Sequence, residues 1–192
     1  MKIIGIDASI SGTASCVYDT ETEKYFFYTY TSHTDFDFEY ENEKIKIKVE
    51  KQENFKNLDS FERYIKIADK NWSEIALELS ETNFFFLEDY ALKGIGKVFQ
   101  IAEYTAILKR HIYDSGNSIE NTFPPMSIKK EIGGKGNLDK FEIYCDTWRD
   151  YDLRDMIEDL ENEGIEYSPG CWQEDILDSY AVMKMGLKSL HF

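Results

Sequence analysis

The 192 residues are 42% apolar and 15% aromatic, enough for a sizeable core, and the length fits one domain with room for an embellishment. No apolar run approaches the roughly 18 residues of a membrane span, and the opening Met1-Lys2-Ile3-Ile4-Gly5-Ile6-Asp7 meets an acidic residue too early for a signal peptide. A net charge of −15 taken alone argues against a nucleic-acid partner.

The distribution of that charge weakens the objection. Residues 1–84 carry 10 basic and 17 acidic side chains, residues 85–145 carry 8 and 8, and residues 146–180 carry 2 and 12. Much of the excess therefore sits between Asp146 and Glu166, while the middle of the chain is balanced. Three cysteines, Cys16, Cys145 and Cys171, are odd in number and far apart. They read as reduced thiols of a cytoplasmic protein (a host's cytoplasm if the gene is viral), not as a disulfide framework or a zinc site.

In chain order, Lys2 to Ile6 is a short apolar, β-branched run and predicts a strand. A small polar turn, Ala8-Ser9-Ile10-Ser11, leads to a second strand over Gly12 to Tyr18. Lys24 to Thr31, dense in Tyr and Phe, predicts a third. Phe36, Phe38 and Tyr40 then alternate with acids, and Ile45, Ile47 and Val49 with lysines. Opposite charges facing across a turn at Asn42 favour a hairpin over 35–50, inserted on the basic fold.

Asp59 with Glu62 three residues on fits a capping box, opening a helix to about Leu79. Asn83 to Leu87 is a short, almost wholly apolar strand. A helix is expected from about Gly96 to Tyr113, a brief strand near Asn121 to Phe123, and another helix opening near Leu138. The last helix runs from about Gln173 to Leu187, with Ile176, Leu177, Tyr180, Ala181 and Met183 as its apolar face. Strands first, then helix–strand alternation, predict an α/β fold with a mixed sheet of about five strands flanked by helices, plus the hairpin. No linker or repeat marks a boundary, so 1–192 reads as a single domain.

Four carboxylates stand out. Asp7 ends one apolar strand, and Glu88 ends another, Phe84-Phe85-Phe86-Leu87. An ionised carboxylate at such a tip is costly unless paired or metal-bound, and strand ends of α/β sheets converge on one edge. Asp175 and Asp178 are three apart at the start of the final helix and share a face, which turns inward at Ser179-Tyr180-Ala181-Val182. Acids also favour a helix N-terminus through its dipole. Taken together, the four suit hard, oxygen-liganded Mg²⁺ or Mn²⁺, and two such ions hydrolyse a phosphodiester without a histidine base.

Ile3-Ile4-Gly5-Ile6-Asp7, Phe86-Leu87-Glu88 and Asp175-Ile176-Leu177-Asp178-Ser179-Tyr180-Ala181 resemble the acidic motifs of the RuvC-like Holliday junction resolvases, within the RNase H-like nuclease superfamily. Pro125-Met126-Ser127-Ile128-Lys129-Lys130, followed by Gly133-Gly134-Lys135-Gly136-Asn137-Leu138-Asp139-Lys140, is similar to that family's glycine-lysine segment. All four motifs occur in family order. The resemblance implies an RNase H-like fold and a homodimer making paired cuts in four-way junction DNA, with about two Mg²⁺ or Mn²⁺ ions held by Asp7, Glu88, Asp175 and Asp178.

Lys129, Lys135 and Lys140, with Tyr90 and Lys93, are the expected DNA contacts. One departure is Ala91, where the family places an aromatic wedge three residues after the strand-end Glu. Val98, Ile101, Ala102, Thr105, Ile107 and Leu108 form an apolar helix face that fits either a dimer interface or the core. His33, His111 and His191 lack spacing partners and read as surface or satisfied core residues. Trp72, Trp148 and Trp172 read as core.

Other readings stay open. The substrate of the same chemistry is a flap or an RNA–DNA hybrid in one alternative. A nucleic-acid-binding module without catalysis would be expected to lose one or more of the acids. An actin-like or sugar-kinase-like ATPase shares the Asp7-to-Thr13 turn but needs a second phosphate loop and more chain than 192 residues.

Overall fold

The computed structural model describes residues 1–55, 57–89, 98–133, 158, 160–162, 164–165 and 170–190. The expected helix near Leu138, Ala91, Trp148, Cys145, His191 and most of the acidic 146–166 stretch lie outside them.

Seven strands form one mixed sheet: β1 (Lys2–Asp7), β2 (Gly12–Asp19), β3 (Lys24–Thr31), β4 (Phe38–Glu41), β5 (Ile45–Lys51), β6 (Asn83–Glu88) and β7 (Ile119–Phe123). Their spatial order is β4-β5-β3-β2-β1-β6-β7. β1, β2 and β3 form an antiparallel meander, whereas β6 runs parallel to β1 and β7 parallel to β6. The expected hairpin is β4–β5, and it joins the main sheet because β5 pairs in parallel with β3. Its register sets Glu39 against Lys48 and Glu41 against Lys46, the opposite-charge pairing that the alternation predicts. At the turn, the Asn42 carboxamide oxygen accepts the N–H groups of Lys44 and Ile45 at 2.9 and 2.8 Å, an Asx device that closes the loop.

Period-2 alternation divides the core between two faces. Ile3, Cys16, Phe27, Ile47 and Phe86 point to the face covered by α4 (Trp172–Ser189). Ile4, Ile6, Tyr28, Phe85 and Leu87 point to the other, covered by α1 (Ser60–Leu77) and α2 (Val98–Asp114). In α4, Ile176, Leu177, Tyr180, Ala181 and Met183 are all buried, as their spacing requires. Trp172 is also core, tilted against Phe38, while Trp72 stacks on His111. The described cysteines, Cys16 and Cys171, are buried free thiols. No helix among the described residues is long and apolar enough to cross a membrane.

α1 begins where the capping signal puts it. The Asp59 carboxylate accepts the N–H groups of Phe61 and Glu62 at 2.8 and 2.9 Å, satisfying two of the donors that a helix start leaves open. Asp59→Ala should lower stability by about 1 kcal/mol in a denaturant titration; no measurable loss would mean water replaces the cap at no cost.

One helix departs from the sequence expectation. The Pro125-to-Lys130 part of the basic segment, over which no helix is predicted, is the start of α3 (Pro125–Gly133). Pro124 and Pro125 read locally as a break, yet proline suits a first helical turn, whose N–H groups have no partner in any case. The Pro124 carbonyl accepts from Ser127 at 2.9 Å to start the helix.

Candidate active site

The site is built on the parallel pair at the sheet centre. Register aligns Ile6 with Leu87, so the next residues, Asp7 and Glu88, emerge side by side at the C-terminal ends of β1 and β6. Alternation puts both on the α4 face, since Ile3 and Phe86 lie there. Asp7 is buried, 8% exposed, and Glu88 is partly buried. Both line one cleft of about 200 Å³ together with Ser9, Asp89, Ile101 and Pro125. Asp89 enters the cleft because its N–H is tied to the Phe123 carbonyl at 2.8 Å, closing β6 onto the end of β7.

α4 brings Asp175 to the same end of the sheet. Gly5 is the crossing point, where the helix backbone at Ser179 and Met183 lies directly on β1. One turn earlier, the Asp175 carboxylate occupies the space a side chain at Gly12 would need. Asp175 is 3% exposed. The Thr31 hydroxyl donates to its Oδ2 at 2.8 Å, and His33 Nδ1 lies 3.0 Å from the same oxygen and 3.2 Å from Oδ1. The backbone N–H of His33 in turn donates to Thr31 Oγ1 at 3.0 Å. Asp175 is thus engaged by β3 and does not line the cleft shared by Asp7 and Glu88. Asp178 is partly buried on the same helix.

A second device steadies Asp7 from below. Thr13 Oγ1 sits 3.3 Å from the Asp7 carbonyl, receives the Asn71 amide at 3.0 Å and touches Tyr104 Oη at 2.5 Å. These contacts join β1, β2, α1 and α2 in one buried polar knot. Burial pushes the Tyr104 hydroxyl well above its usual range, and the charge of Asp7 adds to that shift. Tyr104 is therefore a neutral donor at any physiological pH.

Neither the Thr31–His33 clasp nor the Thr13–Tyr104–Asn71 knot is visible as a motif. Their members are 142 to 144 and 58 to 91 residues apart in sequence. His33, unassigned on spacing, belongs to the first of them. Of the expected DNA contacts, Lys129 is partly buried on α3; Tyr90, Lys93, Lys135 and Lys140 lie outside the described residues.

The donor set fits a hard divalent cation. Among the described residues no three His, Cys, Asp or Glu side chains are gathered into a ready-made metal cage. Mg²⁺ does not require one, because it keeps most of its waters and binds through one or two carboxylates plus substrate phosphate. Asp7, Glu88 and Asp89 in one cleft supply that much.

The architecture is α/β of the RNase H-like class: a mixed seven-stranded sheet with helices on both faces and acids at the ends of its central strands. Its fold is more narrowly that of RuvC. The chain is similar to a structure of Thermus thermophilus RuvC, with a TM-score of 0.55 and 14% identity over 95% of this chain and 90% of that one. It is similar to the same protein "in complex with Holliday junction substrate", with a TM-score of 0.56 and 13% identity over the same shares. No protein-family model matches the sequence, and no curated protein does.

Proposed function

We propose that the chain is one nuclease domain, a divalent-metal-dependent endonuclease that cuts branched DNA, and that its substrate is a four-way junction. The observation that carries this reading is the pairing of Asp7 with Glu88 at adjacent strand ends, lining one cleft, in a fold of the RuvC type. In this reading Asp7 and Glu88 hold metal in the cleft, and Asp175 and Asp178 add carboxylate oxygens from α4. Two Mg²⁺ or Mn²⁺ ions, when bound, supply activation of the attacking water and stabilisation of the leaving oxygen. Thr31 and His33 hold the Asp175 carboxylate, and the Thr13 knot holds the backbone of Asp7. The neighbour solved in complex with Holliday junction substrate supports the substrate class. The cytoplasm fits a protein with buried free thiols.

The test is an assay on four-way junction, flap, duplex, single-strand and RNA–DNA hybrid substrates with Mg²⁺ or Mn²⁺. Paired cuts in the junction are expected. Preference for flaps or hybrids would move the protein to the second reading, which Ala91 at the family's wedge position favours. Paired cuts need two sites related by a two-fold axis, so the protein should sediment as a homodimer. On α2, Thr105 and Leu108 go into the subunit core, whereas Val98, Ile101, Ala102 and Ile107 stay half-buried and Phe99 is 83% exposed. A monomer both free and on junction DNA would eliminate the paired-cut mechanism.

Lys129, with Lys135, Lys140, Tyr90 and Lys93, is proposed to face the DNA backbone. Lys129→Ala should lower the slope of log K against log salt by about 0.9, the contribution of one phosphate contact on duplex DNA. An unchanged slope would return Lys129 to the role of a solvated surface lysine.

A further inference from the structure

Beside the acidic cleft lies a second cavity, of about 210 Å³, and the two share Ser9 and Ile101 as a common wall. Three elements line it. The β1–β2 turn gives Ser9 and Ser11, the first turn of α1 gives Ser60 and Arg63, and the first turn of α2 gives Gln100. None of the described residues lining it is acidic. Ile10, Tyr64 and Ile101 complete the lining, and in a chain of net charge −15 a cavity whose polar groups are hydroxyls, a carboxamide and a guanidinium is an exception to its surroundings.

Arg63 is the member that asks for a ligand. Its guanidinium has one long contact, 3.4 Å from Nη2 to Gln52 Oε1. Its Nε is shielded from solvent and finds no acceptor. No ion pair links it to a carboxylate among the described residues, whereas Lys48, Lys70 and Arg110 each hold one. A shielded N–H on a permanent cation without an acceptor is costly, and the guanidinium that carries it belongs to a residue lining the cavity, where an anion would offset its charge. The adjacent Asp59 carboxylate is committed to the N–H groups of Phe61 and Glu62.

We propose that this cavity binds a backbone phosphodiester of the same strand that the acidic cleft cuts. The assignment rests on the nuclease reading above and deepens it. A phosphodiester repeats along a strand, so a strand laid across Asp7 and Glu88 brings a neighbouring phosphate to the adjoining cavity. The planar guanidinium matches two phosphate oxygens, and the hydroxyls of Ser9, Ser11 and Ser60 are further donors. The contact anchors the strand beside carboxylates that would otherwise repel it.

The test walks a single uncharged methylphosphonate along the substrate strand on both sides of the scissile bond. Affinity is measured with Ca²⁺ as the divalent ion, for wild type, Arg63→Gln and Arg63→Lys. At one position next to the cut, wild type should lose about tenfold in affinity, the size expected for a charged hydrogen bond. Arg63→Gln should lose about tenfold on unmodified DNA and nothing more when that phosphate is neutralised. Arg63→Lys, which keeps the charge without the fork, should recover part of the loss. Melting temperatures check the fold, and Arg63→Lys carries the comparison if Arg63→Gln unfolds early.

If every variant loses equally at every position, or binds unmodified DNA as tightly as wild type, the assignment is overturned while a wild type that cuts keeps the nuclease reading intact. A wild type that neither binds nor cuts any of the nucleic acids takes down the nuclease reading, and this assignment with it.

Discussion

Asp7→Asn should lower the single-turnover cleavage rate about 10³-fold or more, because metal-ion charge stabilisation is a matter of several kcal/mol and each 1.36 kcal/mol is tenfold. The substitution keeps the shape of the side chain and removes its charge, so the fold should survive. The backbone of Asp7 is held independently, by the β1 ladder and by Thr13. DNA affinity without divalent metal should stay equal or rise, since one repulsive charge facing the phosphates is gone. Glu88→Gln should behave the same way. The double variant should be little worse than either single one, because groups that act as a unit are not additive. Retained Mn²⁺ binding and full cleavage in either single variant would remove the basis for placing the reaction in this cleft.

Gly5→Ala should cost about 3 kcal/mol, at the upper end of ordinary overpacking, and lower Tm by about 6–12 °C. A methyl group at Gly5 would stand 2.5 Å from the Ser179 carbonyl oxygen and 2.7 Å from Met183 Cα. Both are backbone atoms of α4, so no side chain can swing aside, and the helix itself must lift. That helix carries Asp175 and Asp178, so cleavage should fall further than stability alone explains. Gly12→Ala is the informative contrast. There the added methyl meets the carboxylate of Asp175, a side-chain end that can rotate. A smaller loss of stability with a comparable loss of activity is expected at Gly12. A Gly5→Ala protein melting within about 2 °C of wild type would show that α4 rides more loosely on β1 than its contacts indicate.

The features legible in the sequence are those that repeat locally. Alternation in Ile45-Lys46-Ile47-Lys48-Val49 and the Asn42 turn specify the hairpin on local grounds alone, because side chains two apart share a face. Asp7 and Glu88 stand out because a carboxylate closing an apolar strand is a local anomaly with a stated cost. The parallel pairing of β5 with β3 is not legible, since the pattern of a half-buried strand does not name its partner. The same holds for Thr31 and His33 against Asp175, and for Tyr104 against Thr13: each residue is ordinary in its own neighbourhood and meaningful only after folding. α3 escapes for the opposite reason, two adjacent prolines reading as a stop where the second begins a helix.

The position of α4 along the chain also has a consequence in time. A ribosome makes β1, with Asp7, before any of residues 172–189. Until then the sheet face formed by Ile3, Cys16, Phe27, Ile47 and Phe86 has no α4 to cover it. A nascent chain therefore passes through a stage with an uncovered apolar face, the stage at which chaperones are most useful. Arrival of α4 covers that apolar face and sets Asp175 against Thr31 in the same event, so under the proposed function cleavage would await the docking of this helix.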